Sequence, residues 1–118
     1  ASVFASEQKE FKYMLSRSSF LFDYADPVNA LESFITGSSM NRTTWSSPEF
    51  DKMIADIKNE TDEQKRWDML IEADKFLMEE MPVIPVHYYN QVTLEKSNVK
   101  GIVRHPVGYM DLKWADKE

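Results

Sequence analysis

The sequence predicts an α/β fold that is rich in helix and contains only a few strands. Most of the helix is expected in two segments with helical apolar periodicity and N-terminal capping signals, at about residues 48–58 and 62–80. Strand character is found in the aromatic and apolar segment 11–22 and in the extended segments 82–89 and 92–95. At 118 residues the chain is about one domain, and a fold of this size buries roughly two thirds of its unfolded surface.

The first forty residues predict a helix end, a strand and a short helix. Residues 1–10 are expected to end a helix, and residues 11–22 to form a strand. Pro27 pushes Asp26 toward an extended conformation, which predicts a loop at this point. A short helix with one buried face follows, and Gly37 is a suitable stop for it. Its apolar positions are Val28, Leu31, Phe34 and Ile35.

The two long helices begin at recognisable capping sequences. Ser47 is a candidate N-cap, with Pro48 at the first helical position and Glu49 near the positive helix end. The segment 61–64 matches a capping box, and it predicts a second long helix from about Asp62 to Glu80 that is well buried. The apolar positions are Phe50, Met53, Ile54 and Ile57 in the first, and Trp67, Leu70, Ile71, Ala73, Phe76, Leu77 and Met78 in the second.

The end of the chain is predicted to be extended and irregular. Pro82 ends the last helix, and residues 82–89 form an extended segment whose prolines suit a strand start or a sheet edge. Residues 92–95 are a candidate pairing partner for it. Gly101, Pro106 and Gly108 indicate short irregular connections before a terminal segment at 109–114.

Composition excludes several classes of function. The net charge of −6 disfavours binding to nucleic acid and to anionic membranes. The absence of cysteine excludes disulfides and thiolate metal sites. No run approaches the roughly 20 apolar residues that span a bilayer. Because the chain lacks an initiating methionine and a signal-like start, we expect a fragment of a longer protein.

The acidic residues Asp23 and Asp26 are the main candidates for chemistry. As a carboxylate pair they are compatible with acid–base catalysis, but cap preferences favour a structural role for Asp26 at the start of the helix after Pro27, which leaves Asp23 freer for function. His87 and His105 lack zinc-ligand spacing, and no nucleophile elbow, phosphate loop or calcium loop is present. We therefore predict neither a metal nor a cofactor. Trp45 has two interpretations, a contact with the start of the following helix or a pocket wall.

Three colinear motifs resemble the carboxy-terminal part of the oligopeptide-binding proteins of ABC transporters, the extracellular solute-binding protein family 5. They read FLFDYADP at 20–27, GSSMN with WSSPEFD within 37–51, and MPVIPVHYY at 81–89. The ending GYMDLKW at 108–114 resembles Gram-positive members. The resemblance covers nearly the whole chain.

This resemblance implies part of a type II periplasmic-binding fold, in which two α/β lobes close around a peptide. Residues 1–83 would be part of the C-terminal lobe, and residues 84–118 would cross and return toward the N-terminal lobe. The intact receptor would be an extracellular, membrane-anchored lipoprotein that delivers oligopeptides to an ABC permease and has no catalytic activity. Most of the receptor would lie outside this chain, so we expect a fragment that binds peptides very weakly by itself.

The same resemblance assigns peptide-binding roles to individual residues. Asp23 matches an aspartate that pairs with the peptide's α-amino group, which is a charge-assisted bond. Ser19 and Leu21 match positions whose backbone pairs with the peptide as an added strand. Two departures concern the pocket, because Phe20 replaces a commoner tryptophan and the bulky Phe22 stands where a small residue is frequent. The remaining matches are Phe20 and Tyr89 as pocket walls and Arg17 near the peptide carboxylate.

Two other functions predict different surfaces. A hydrolase would bring Asp23 and Asp26 together in one pocket, whereas a helical interaction module would expose an apolar patch on helices 48–80. A receptor fragment would instead leave Phe20, Asp23 and Tyr89 on one open surface. Its unpaired edges would also favour self-association.

Overall fold

The computed structural model describes residues 2–21, 23–90, 92–105 and 108–118, so Phe22 and Pro106 lie outside the described part. Helices dominate and the strands are few and short, which confirms the predicted class. The helices are α1 (Ser2–Lys9), α2 (Val28–Leu31), a 3₁₀ turn (Glu32–Phe34), α3 (Pro48–Asn59) and α4 (Glu63–Glu80). The strands are β1 (Val99–Lys100), β2 (Val103–Arg104), β3 (Met110–Asp111) and β4 (Asp116–Lys117).

Helix α3 begins as predicted, and α4 begins one residue later than its capping box suggests. The Ser47 hydroxyl accepts a hydrogen bond from the Phe50 N–H at 3.2 Å. In α4 the cap is Asp62, whose carboxylate accepts from the Lys65 N–H at 2.8 Å. Thr61 is not the cap, because its own N–H and that of Asp62 are held by the Glu60 carboxylate at 2.9 and 3.0 Å.

The core lies between α2, α3 and α4. Phe50 is at its centre and is fully buried, with Trp45 edge-on at 5.2 Å and Phe76 stacked at 6.3 Å between ring centroids. Trp45 therefore packs against the start of α3, which supports the structural interpretation. The buried apolar residues are Val28, Leu31, Phe50, Ile54, Ile57, Leu70, Ala73 and Leu77.

Helix α4 is less buried than the sequence predicts. Its buried residues are Leu70, Ala73 and Leu77, which form one face against α3. On the rest of the helix, Trp67 is 46% exposed and Ile71 is 50% exposed. The expectation of a well-buried helix is therefore wrong, because the apolar pattern is wider than the surface that α2 and α3 cover.

The N-cap of α3 gives a stability prediction. We expect Ser47→Ala to lower the free energy of unfolding by about 1 kcal/mol, since it leaves the Phe50 N–H without its side-chain acceptor. Urea denaturation of the chain measures this, with the exposed neighbour Ser46→Ala as the matched control. Equal loss in both variants would contradict a capping role for Ser47.

The predicted long strands are absent from the described residues. Segment 11–21 has no strand, and segments 82–90 and 92–98 contain no strand and do not pair with each other. A strand requires a hydrogen-bonding neighbour, and the sequence of one segment does not supply it. The observed pairs are two antiparallel ladders, β1 with β4 and β2 with β3. The chain between these ladders requires glycine at position 101. Gly101 has φ +77°, and a Cβ there would lie 1.9 Å from the Trp114 carbonyl oxygen.

The chain leaves an unusually large surface open. Its accessible surface is 9582 Å², whereas a compact monomer of 13.8 kDa has about 6600 Å². Its radius of gyration is 18.5 Å, against about 13.5 Å for a compact domain of this length. Among the described helices, none combines the length and apolar character needed to cross a membrane. Large exposed apolar residues include Met14, Leu15, Leu21, Ile84, Val86, Tyr88, Val92, Leu94, Leu112 and Trp114.

Candidate functional site

Asp26 has a structural role at the start of α2. One carboxylate oxygen accepts from the Val28 N–H at 2.9 Å, and the other pairs with the Arg66 guanidinium of α4 at 2.8 Å. The Asp26 carbonyl also accepts from the Asn29 N–H at 3.0 Å. The residue therefore ties the loop to two helices, which supports the capping interpretation over a catalytic pair with Asp23.

A surface groove lies beside this loop and holds the other acid. It has a volume of about 360 Å³, is open to solvent, and is lined by Phe20 and Asp23 together with the 38–40 loop. Asp26 is not among its lining residues. The groove is lined by Phe20, Asp23, Asn29, Glu32, Ser33, Ile35, Ser38, Ser39 and Met40.

Asp23 offers an uncommitted carboxylate to this groove. Its backbone N–H donates to Asn29 Oδ1 at 3.0 Å, so a hydrogen bond to a side chain of α2 fixes the main chain at this residue. Its side chain is exposed, and among the described residues no donor bonds to the carboxylate. An ionised carboxylate that the fold leaves unpaired can bind an external cationic group.

Glu32, the second acid of the groove, already has hydrogen-bonding partners within the chain. Glu32 accepts from the Tyr24 hydroxyl at 2.7 Å, and its other oxygen lies 2.5 Å from Lys58 Nζ. The hydrogen bond from Lys58, followed by that from Tyr24, lowers the pKa of Glu32 below its usual value. The bond to Glu32 and desolvation raise the pKa of the Tyr24 hydroxyl. Glu32 is thus paired within the chain, whereas the Asp23 carboxylate has no donor among the described residues.

This cluster predicts a titration result. We expect Lys58→Gln to raise the pKa of Glu32, because it removes the largest cause of the lowered value. An NMR titration of the Glu32 side-chain carboxyl carbon measures the shift. Lys52→Gln is the matched control, since Lys52 is on the same helix but pairs with Asp56 at 2.6 Å. An unchanged Glu32 titration in Lys58→Gln would contradict the assignment.

Two of the other predicted site residues contact each other across the chain. Arg17 Nη2 donates to the Tyr89 hydroxyl at 2.8 Å, although the two residues are 72 positions apart. The Tyr89 ring also lies 5.0 Å from that of His87. Neither Arg17 nor Tyr89 lines the groove, so this contact is a separate feature between segments 11–21 and 82–90.

Ser19 and Leu21 leave their backbone groups open. Both residues are exposed, and in the part of the chain that the structure describes neither takes part in a backbone hydrogen bond. Open N–H and C=O groups on an extended segment can pair with an added strand. Phe20, between them, lines the groove and is 43% exposed.

The structure adds groove residues that the sequence did not identify. Asn29 and Ser33 line the groove and are buried, and Met40 lines it and is exposed. The sequence does contain a signal for these residues, because Asn29 is polar but stands among the apolar positions of α2. No cluster of three or more histidine, aspartate or glutamate residues suited to a metal occurs within the described ranges.

Several known proteins with similar sequences are named as peptide-binding proteins. No protein-family profile matches the chain. It is 56% identical to the dipeptide-binding protein DppE of Bacillus subtilis over 98% of its own length, which is 21% of that protein. The chain corresponds to a segment of the family 5 solute-binding proteins of ABC transporters. A further family member, the oligopeptide-binding protein OppA of Bacillus subtilis, is 32% identical over 91% of this chain and 20% of its own length.

A solved structure supports the same family assignment. The substrate-binding domain of an oligopeptide ABC transporter from Bacillus anthracis superposes with a TM-score of 0.82 at 29% identity, covering 96% of this chain and 23% of that one. This likeness confirms the predicted partial lobe of the family fold. The chain spans about a fifth of the length of the curated relatives it matches. Those relatives are named as binding proteins and not as enzymes.

Proposed function

We propose that this chain is part of an extracytoplasmic receptor that captures peptides and delivers them to an ABC permease. One observation supports this most directly: Asp23 presents an exposed carboxylate, without a partner among the described residues, at the edge of a groove. In a closed cleft this carboxylate would pair with the α-ammonium group of a peptide. Such a bond sets the register of the ligand without reading its side chains.

The surrounding residues suit an extended ligand. Open backbone groups at Ser19 and Leu21 would pair with the peptide main chain, which is indifferent to its sequence. Phe20 and Tyr89 would flank ligand side chains, and Arg17, preoriented by the Tyr89 hydroxyl, would face the carboxylate end of a short peptide. The proposed peptide-binding residues of this chain are thus Arg17, Ser19, Phe20, Leu21, Asp23 and Tyr89.

The proposed division of the chain between two lobes agrees with the distribution of its buried residues. Residues 1–83 would belong to one lobe, and every buried core residue of the described chain lies within 28–77. Residues 84–118 would cross toward the other lobe, which agrees with their exposed apolar side chains. The rest of the receptor would cover that surface and supply the other wall of the cleft. Ligand contacts from both lobes would then favour the closed state.

The intact receptor would be held at the outer face of the membrane by a lipid anchor, would contact the permease subunits, and would have no catalytic activity. The separation of Asp23 from Asp26 supports the last point, because a carboxylate pair needs both acids in one pocket.

The proposal predicts that this chain binds peptides poorly on its own. Calorimetric titration of the isolated chain with di-, tri- and tetra-alanine should give no measurable affinity, because only one wall of the cleft is present, whereas the complete receptor should bind at least one of them. Sedimentation of the same samples is the control, since the exposed apolar surface favours self-association. Micromolar affinity of the monomeric isolated chain would contradict the proposed two-sided cleft.

A further inference from the structure

We propose that Asn29 is a positioning residue that holds Asp23 in place for the ligand's ammonium group, an inference that rests on the proposed function. Asn29 is only 6% exposed, although it is polar and lies on a four-residue helix among apolar neighbours. Burying an amide is costly unless its groups are hydrogen-bonded. Its hydrogen bonds therefore indicate what the residue does.

The amide of Asn29 connects the two acids of the groove. Its Oδ1 accepts from the Asp23 N–H at 3.0 Å, and its Nδ2 lies 3.5 Å from Glu32 Oε1. The orientation of the amide follows from its partners, because only the oxygen can accept from an N–H and only the nitrogen can donate to a carboxylate. A side chain with the acceptor but not the donor, or the reverse, would satisfy only one of them.

The contact with Asp23 is made to its backbone and not to its carboxylate. This bond holds the Asp23 end of the loop that leads into α2. The other end of the loop is held by the Asp26 carboxylate, which accepts from the Val28 N–H and pairs with the Arg66 guanidinium. The Asp23 main chain is thereby held, while its carboxylate accepts no bond from the described residues and the residue lines the groove. A charge-assisted bond depends on geometry, so a residue that fixes the main chain also fixes where the carboxylate can reach.

A merely structural role for Asn29 predicts a different result from a positioning role. Loss of fold stability would weaken binding of every peptide alike. Loss of Asp23 positioning would weaken only the part of the affinity that comes from the free amino terminus. The ratio of the Kd of an N-acetylated peptide to the Kd of the same peptide with a free terminus separates these two roles.

The experiment measures this ratio by calorimetry in the complete receptor, using di-, tri- and tetra-alanine and their N-acetylated forms. The wild-type ratio should be about 100 for the tightest of them, as expected for a hydrogen bond to a charged group. Asn29→Ala should lower the ratio about ten-fold. Asn29→Leu, which places an apolar side chain at this buried helical site, should do the same. Asn41→Ala is the matched control, because the Asn41 side chain fixes another loop through the Phe34 and Trp45 carbonyls.

Each outcome decides one claim. A wild-type ratio near one would overturn the proposed function itself, since the free terminus would then contribute nothing. A wild-type ratio near 100 that Asp23→Asn abolishes and both Asn29 variants retain would overturn the positioning role alone. A reduced ratio in both Asn29 variants, with the Asn41→Ala ratio unchanged, is the result that the positioning role requires.

Discussion

Replacing Asp23 with asparagine in the complete receptor is expected to weaken binding of a peptide with a free amino terminus by about 100-fold. Hydrogen bonds between charged groups contribute about 1.5–3 kcal/mol, and each 1.4 kcal/mol is about ten-fold in affinity. The loss of affinity should come from this interaction alone, because the Asp23 carboxylate makes no bond to the described part of the chain. Calorimetric titration of wild type and variant gives the two Kd values.

The control for this prediction is a carboxylate of equal charge elsewhere. Asp74 is exposed on α4 and does not line the groove, so Asp74→Asn removes one negative charge without touching the site. Its Kd should stay within about three-fold of wild type, because exposed charges at a distance are screened by salt. If Asp23→Asn bound the peptide as well as Asp74→Asn does, Asp23 would not be the ammonium partner.

The largest expected effect on stability comes from Phe50. Phe50→Ala should lower the free energy of unfolding by about 3–5 kcal/mol, because it removes a buried ring and leaves a cavity between α3 and α4. The Phe50 side chain is fully buried and contacts the rings of both Trp45 and Phe76. Urea denaturation measures the loss.

Phe4 on α1 provides the matched control, since it is 51% exposed and lies outside the core. Phe4→Ala should cost less than about 1 kcal/mol, as surface substitutions do. Comparable losses in the two variants would show that the core does not centre on Phe50 and that the helices pack differently.

The helices were predictable because their signals are local. Ser47 and Pro48 mark the start of α3 within two residues, and the apolar stripe of α3 matches its buried face. The burial of α4 was not predictable, because Trp67 and Ile71 are apolar whether or not a neighbour covers them. The strands expected at 11–22, 82–89 and 92–95 are absent from the described residues of these segments for the same reason, since pairing depends on a distant partner.

The site was predictable only in part. The loop at Asp23 and Asp26 could be located from Pro27, and the capping preference of aspartate pointed to the role that Asp26 has. The pairing of Asp26 with Arg66, the contact of Arg17 with Tyr89, and the position of Asn29 beneath Asp23 all require the tertiary structure. Their separations in sequence carry no periodic signal.

A crystal structure of the complete receptor with a bound peptide would show directly which group binds the peptide's amino terminus. We expect the peptide's α-ammonium nitrogen to lie about 2.7–2.9 Å from an Asp23 carboxylate oxygen, the distance of a charge-assisted hydrogen bond. We also expect the peptide backbone to pair with Ser19 and Leu21. A peptide whose ammonium group is bound by another carboxylate, with Asp23 facing solvent, would contradict the account.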